Sequence, residues 1–251
     1  KKDPLLYSQT GPTTENPNVD HARIAQNAAR MSDRMRRQNI LGEIVDSGGA
    51  FFSADDIDAA TDTDAQLGVC EFDEEERERH VVVYHEGVPW VEAFPGHRYV
   101  HGWDLADKSD WTVGGTWDIS VTPHKLVEFE RFNRMGWAHV YDRIRRRHNH
   151  YGYGETWVDS TGIGDVILEE LADIGAKGVR FTATSKAEML GNVQSLLSLR
   201  GLSIPPIRVM LEEMRFYERD DKNLVTDCVM SLAVASEGMR RGGGYAYAVA
   251  I

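Results

Sequence analysis

From Arg98 onward, apolar and polar positions first alternate in short runs and then settle into helical spacing. Residues 99–104 (YVHGWD), 111–120 and 125–132 carry the mixture of alternating, β-branched and aromatic residues expected of strands, and the loops between them are short enough to join antiparallel neighbours. The period then lengthens. A helix is predicted over 137–148, a strand over 156–159, a helix over 165–174 and a strand over 179–182. Ser185 is the expected cap of a helix that runs to Leu199 and is stopped by Gly201; residues 207–217 read as helical, and a last helix spans 224–237. Three early strands followed by this alternation predict an α/β fold, a mixed five-stranded sheet with helices on both faces.

Upstream the patterns are weaker. Residues 1–19 are polar, carry three prolines and read as a linker. Residues 20–46 place Ile24, Ala28, Met31 and Met35 at helical spacing, so one or two amphipathic helices are expected before the SGGAFF break. An acidic stretch with little periodicity follows, expected to be a loop, and then residues 80–94, which read as a hairpin whose second strand is confined to an edge by Pro89. The organisation implied is linker 1–19, connecting segment 20–96, core 97–239 and a glycine-rich, mobile tail 240–251.

Composition changes this picture in a few places. A chain of 251 residues, 41% hydrophobic and 27% charged, can bury a substantial core. No run approaches a membrane span and no signal peptide opens the chain, so an intracellular, soluble protein is expected. The start KKDPLLYSQT, without methionine, reads as a piece of something longer. Cys70 and Cys228 lie far apart with no CxxC spacing, which indicates neither a disulfide framework nor a zinc site. The net charge of −12 is unevenly spread: residues 55–78 hold eleven acids and one base, whereas residues 131–147 (RFNRMGWAHVYDRIRRR) hold six arginines and one acid. A basic stretch with aromatic residues is either a solvated face or the footprint of a phosphate-backbone binder, with Arg131, Arg134, Arg143, Arg146 and Arg147 as the contacts.

Candidate chemistry lies in three aspartates. Asp104 ends the first core strand, Asp159 ends the strand TWVDS, and Asp227 stands near the start of an otherwise apolar helix in NLVTDCVMSLAVA. Carboxylates at neighbouring strand ends, with a third from a helix packed across them, can converge on one point. Crowded acids repel and are costly to bury unless a cation neutralises them, and an all-oxygen donor set suits Mg2+ or Mn2+.

The order of GWDLADKSD, WVDSTGIGDVILEEL, FTATSKAEMLGNVQSLLSLRGLSIP and TDCVMSLAVA resembles the nuclease domain of bacteriophage large terminases, in the ribonuclease H-like superfamily. ENPNV and VDSGGAFF resemble the segment joining that family's ATPase domain to its nuclease, so the resemblance covers roughly residues 15–237. It implies a metal-dependent endonuclease that cuts double-stranded viral DNA during genome packaging in the cytoplasm of an infected bacterium. Asp104, Asp159 and Asp227 would hold two Mg2+ or Mn2+ ions, Asp110 would assist, and Lys186 would hold a phosphate or orient water. The implied partners are the ATPase domain of the same polypeptide, the small terminase and the portal. Many members have a pair of acids before the last helix, whereas here Thr226 precedes Asp227. No GxxxxGK[ST] occurs, so ATP-driven translocation is expected to lie outside this chain. Two other readings remain open: an actin-like or sugar-kinase-type ATPase domain, for which GWDLADKSDWT would be a phosphate loop, and a non-catalytic docking module of a packaging motor.

Overall fold

Strand pairing explains the order of the core. In the computed structural model, which describes residues 11–13, 17–28, 37, 40–42, 50–65, 82–83, 92–106, 110–152, 154–161, 166–218 and 224–242, β1 is Val82–Val83, β2 Tyr99–Asp104, β3 Thr112–Asp118, β4 His124–Phe132, β5 Glu155–Asp159, β6 Lys177–Val179 and β7 Leu202–Ser203. The sheet runs β1-β4-β3-β2-β5-β6. β2, β3 and β4 are antiparallel, as their short loops require, while β5 and β6 join in parallel through helical crossovers. Two-residue strands extend the expected five: β1 pairs antiparallel with the end of β4, and β7 pairs parallel with its start. β1 lies within the first strand of the expected hairpin, and β7 is too short to leave a periodic signature. Residues 92–94 of the expected hairpin form no strand, residues 240–242 of the expected mobile tail end the last helix, and residues 84–91, 243–251 and most of the linker lie outside the described residues.

Helices are α1 His21–Ala28, α2 Ala54–Ala60, α3 Trp137–His150, α4 Val166–Glu170, α5 Ala183–Ser198, α6 Arg208–Phe216 and α7 Asp227–Gly242. The chain divides into two compact units, residues 1–54 with 212–226, and residues 55–211 with 227–251. The smaller unit has an aromatic cluster of Phe51, Phe52 and Tyr217, where Phe51 N–H donates to the Tyr217 carbonyl. The larger unit carries the sheet. α5 is capped by Thr182 rather than Ser185: Thr182 Oγ1 accepts from the Ser185 N–H, and the Ser185 hydroxyl accepts from the Thr182 N–H, a reciprocal capping box.

Each face of the sheet has its own cover. α7 lies over β2 on one face with α5 packed beside it. On the other face Val140, Tyr141 and Ile144 of α3, with Ile167 and Leu171, pack on Trp103, Phe132 and Val158. Beneath α3 the core also takes in charge. Arg147, fully buried, reaches Glu130 at 2.6 Å and Glu128 at 3.1 Å and lies over the Trp103 ring, and Arg143 reaches Glu130 at 2.6 Å. This corrects the expectation that Arg143 and Arg147 contact a duplex. Both stand on the same helical stripe as Val140 and Ile144, so packing that stripe on the sheet carries their guanidinium groups inward to the two glutamates.

The acidic stretch is also less loose than expected over its described part. Residues 54–60 form α2, Ser198 donates to Asp56, Arg200 pairs with Asp56, and Ser203 donates to Asp62. Residues 66–78 lie outside the described residues. Among the described residues no helix is long and apolar enough to cross a membrane, and Cys228 is a buried free thiol.

The buried arginines yield a stability test. Arg147→Ala should lower unfolding free energy by about 3–5 kcal/mol, because it removes a buried cation that Glu128 and Glu130 share. Arg146→Ala removes only an exposed pair with Asp142 and should change stability by about 1 kcal/mol or less. Urea denaturation of the two variants distinguishes them.

Candidate active site

β2 and β5 run in parallel, pairing Trp103 with Val158, so the next residue of each strand, Asp104 and Asp159, stands at the same sheet edge. Both are half-buried. The third aspartate arrives through α7. Ser231 Oγ donates to the Gly102 carbonyl at 2.9 Å, and a Cβ at Gly102 would fall 2.5 Å from the Ser231 carbonyl oxygen and 2.6 Å from the Ala235 Cβ. Further along the helix, Gly238 abuts Val100. The helix therefore descends β2 in the opposite direction. One turn before Ser231, its first residue, Asp227, comes out at the Asp104 end.

The electrostatics of this edge are those of acids short of water. Burial raises the pKa of Asp159, against the hydrogen bonds it accepts from Thr161. Asp227 is pushed up to about 6, first by burial and also by the Asp110 charge, while Arg131 pulls it down. Arg131 Nη2 stands 4.0 Å from Asp227 Oδ2, and its guanidinium lies 4.0 Å from the centre of the Trp111 ring. Asp110, exposed just before β3, thus acts on the same carboxylate. Among the described residues no group of three or more His, Cys, Asp or Glu is drawn close enough to form a ready-made metal cage. The donor types nevertheless fit a hard divalent cation, because a carboxylate that resists ionisation in its burial gains most from an added positive charge.

The remaining expected residues scatter around this edge. Lys186 is half-buried near the start of α5, which follows β6, the strand beside Asp159. Arg134 is exposed between β4 and α3 with a positive φ of 61°. Arg146 is exposed and paired with Asp142, and Arg145 is held by Asp173 and the Glu170 carbonyl. Arg131 is buried rather than displayed to solvent. Trp111 joins the site beyond the expected residues, and the alternation of EFERF turns Arg131 to the face opposite Glu128 and Glu130.

The raised pKa of Asp227 predicts a pH-dependent stability. A carboxyl that holds its proton more tightly folded than unfolded stabilises the fold fully below its ordinary value of 3.8, and this contribution is lost as pH rises to about 6. Asp227→Asn, which mimics the protonated form, should therefore melt higher than the wild type above pH 6, by at most ~3 kcal/mol less the lost attraction to Arg131. The difference should vanish toward about pH 4. Thermal melts in EDTA across this range measure it.

No family profile matches the chain. In sequence it is 27% identical over 173 residues to the large terminase subunit of Thermus virus P23-45, covering 62% of this chain and 35% of that protein. The chain thus spans about a third of the length of the curated relatives it matches. Among solved structures, the large terminase nuclease of thermophilic phage G20c with bound cobalt superposes with a TM-score of 0.57 at 23% identity, over 76% of this chain and 97% of that one. That nuclease has also been solved with zinc and with magnesium. The Thermus phage P74-26 large terminase nuclease domain gives 0.51 at 24% identity, over 74% and 93%. The chain is therefore similar in sequence to phage large terminases over most of its length, and its fold is the ribonuclease H-like fold of their nuclease domain.

Proposed function

We propose that this chain is a divalent-metal-dependent endonuclease that hydrolyses phosphodiester bonds of double-stranded viral DNA during genome packaging, in the cytoplasm of an infected bacterium. The observation that carries the reading is the arrival of Asp104, Asp159 and Asp227 at one edge of a terminase-nuclease-like sheet. In this reading Asp104, Asp159 and Asp227 would hold the divalent cations, two Mg2+ or Mn2+ ions. Asp110 adds a further oxygen, directly or through water. Divalent ions held there would supply an activated water and neutralise charge on the departing 3′-oxygen.

The chain's own groups do the rest. Burial of Asp159 and Asp227 removes competing water, so each carboxylate is a stronger partner for a cation than it would be in solution. Lys186 presents a cation to a phosphate near the start of α5. Arg134 and Arg146, the two exposed members of the basic stretch named at the outset, contact the duplex backbone without reading sequence. By family likeness the ATPase domain of the same polypeptide, the small terminase and the portal are its partners.

Nicking of supercoiled plasmid tests the reading. Activity should appear at millimolar divalent ion, vanish in EDTA, and be higher with Mn2+ than Mg2+, because Mn2+ is less exacting about geometry where only one acid opens the last helix. Asp104→Asn and Asp159→Asn should each abolish cutting while leaving a folded protein; wild-type cutting by Asp104→Asn would overturn the assignment. ATP should be neither hydrolysed nor stabilising, which separates the nuclease from an ATPase domain, and a docking module would not nick at all. Arg134→Ala and Arg146→Ala should each lower the salt slope of DNA binding by about one, read by anisotropy across a salt series.

A further inference from the structure

Arg131 was expected to bind DNA, yet its place in the sheet gives it other work. Asp104 pairs with Val113 across β2 and β3, and Val113 pairs with Arg131 across β3 and β4. Residues directly opposite one another share a face, so Asp104 and Arg131 belong to one row, two strand spacings apart. Asp227, at the start of α7, lies over that row, and the side chains of Arg131 and Asp227 are only 8% and 20% exposed. Trp111 backs the guanidinium at 4.0 Å. A cation is thus built into the acidic edge from within.

The geometry of this pair differs from that of the other buried arginines. Arg143 and Arg147 reach Glu130 at 2.6 Å, the distance of a charge-assisted hydrogen bond. Arg131 and Asp227 stand at 4.0 Å, close enough for Coulomb attraction but too far for that bond. The short pairs lock a helix to the sheet. The long one ties Asp227 to Arg131 by no hydrogen bond, so its carboxylate can turn to another cation.

We propose that Arg131 is a positioning residue, an internal counter-ion that balances Asp227 before metal arrives and competes with metal for it afterwards. This rests on the nuclease reading, in which Asp227 is a metal ligand. The guanidinium therefore weakens divalent-ion binding while keeping the metal-free site from being an uncompensated cluster of acids. Its competition acts together with the single acid before the last helix, both making the site depend on a high concentration of divalent ion.

Mn2+ binding to the full chain, followed by electron paramagnetic resonance or calorimetry, tests this without reference to cutting. Even at the dielectric of water, a monovalent and a divalent cation ~6 Å apart repel enough to change affinity about tenfold. Arg131→Met should therefore bind Mn2+ about tenfold more tightly than the wild type, while Arg131→Lys, which keeps the charge, should stay near the wild-type value. Should the methionine variant not fold, Arg131→Gln keeps a polar head beside Asp227 and should also tighten binding. A merely structural arginine would not make its neutral variants bind more tightly. Unchanged or weaker binding in the folded neutral variant overturns the counter-ion role alone. A wild-type chain that binds no Mn2+ overturns the metal-site reading and this inference with it.

Discussion

The close seating of α7 on β2 is the constraint on which the acidic edge depends. Gly102 has no side chain to hold the helix away, so Ser231 and Ala235 come down onto the strand backbone. A helix rises about 1.5 Å per residue and a strand about 3.3 Å. Once the crossing is pinned at Gly102 and again at Gly238 over Val100, the level at which α7 begins is determined. Asp227 must then emerge near the end of β2, where Asp104 stands. The geometry of three carboxylates from three elements thus reduces to one parallel pairing and one missing Cβ.

The opposite face supports that arrangement by a different kind of interaction. Trp103, one residue before Asp104, points away from α7 into the α3 layer and lies beneath Arg147. Gly114 makes room for both, since a Cβ there would fall 2.6 Å from the Trp103 ring and 2.7 Å from the Arg147 guanidinium. Burying such ion pairs is not cheap, and apolar replacements of similar volume are often as stable. What the pairs add is definition of position: Glu128 and Glu130 form ion pairs with arginines one helical turn apart, which favours one register of α3 on β4. The strand end bearing Asp104 is therefore backed by a layer tied to β4 through buried ion pairs.

Much of this was legible in the chain because strands and helices with a clear period announce themselves. Four core strands, the helices between them and the three strand-end or helix-start aspartates were read from apolar rhythm, while the strand expected over 179–182 lies at Lys177–Val179. Two kinds of feature were not. β7 has two residues, below the length at which any period can be seen, whereas β1 falls within the expected hairpin. Arg143 and Arg147 were read as a surface because charge was weighed by helix alone, whereas their burial depends on Glu128 and Glu130 on another element. The spacing with Val140 and Ile144 already placed them on the inward stripe. Trp111 and the pairing of Arg131 with Asp227 needed the register of three strands and the start of a helix, information that no local pattern carries.

Register also fixes how far the described part of the acidic stretch lies from the acidic edge. β4 starts beside β7 and ends level with Asp104, because β2, β3 and β4 alternate in direction. Asp62 donates nothing to the acidic edge: its backbone N–H goes to the Ile204 carbonyl and its carboxylate accepts from Ser203, next to β7. Asp56 is engaged by Ser198 and Arg200, on the chain leading into the same strand. The described part of the acidic stretch is therefore fastened at the end of the sheet remote from Asp104, about a strand's length away. A strand such as β3 spans roughly 20 Å, more than twice the ~8 Å over which physiological salt screens charge. At that separation the charges of Asp56 and Asp62 are largely screened from the acidic edge, where the three aspartates are answered by Arg131.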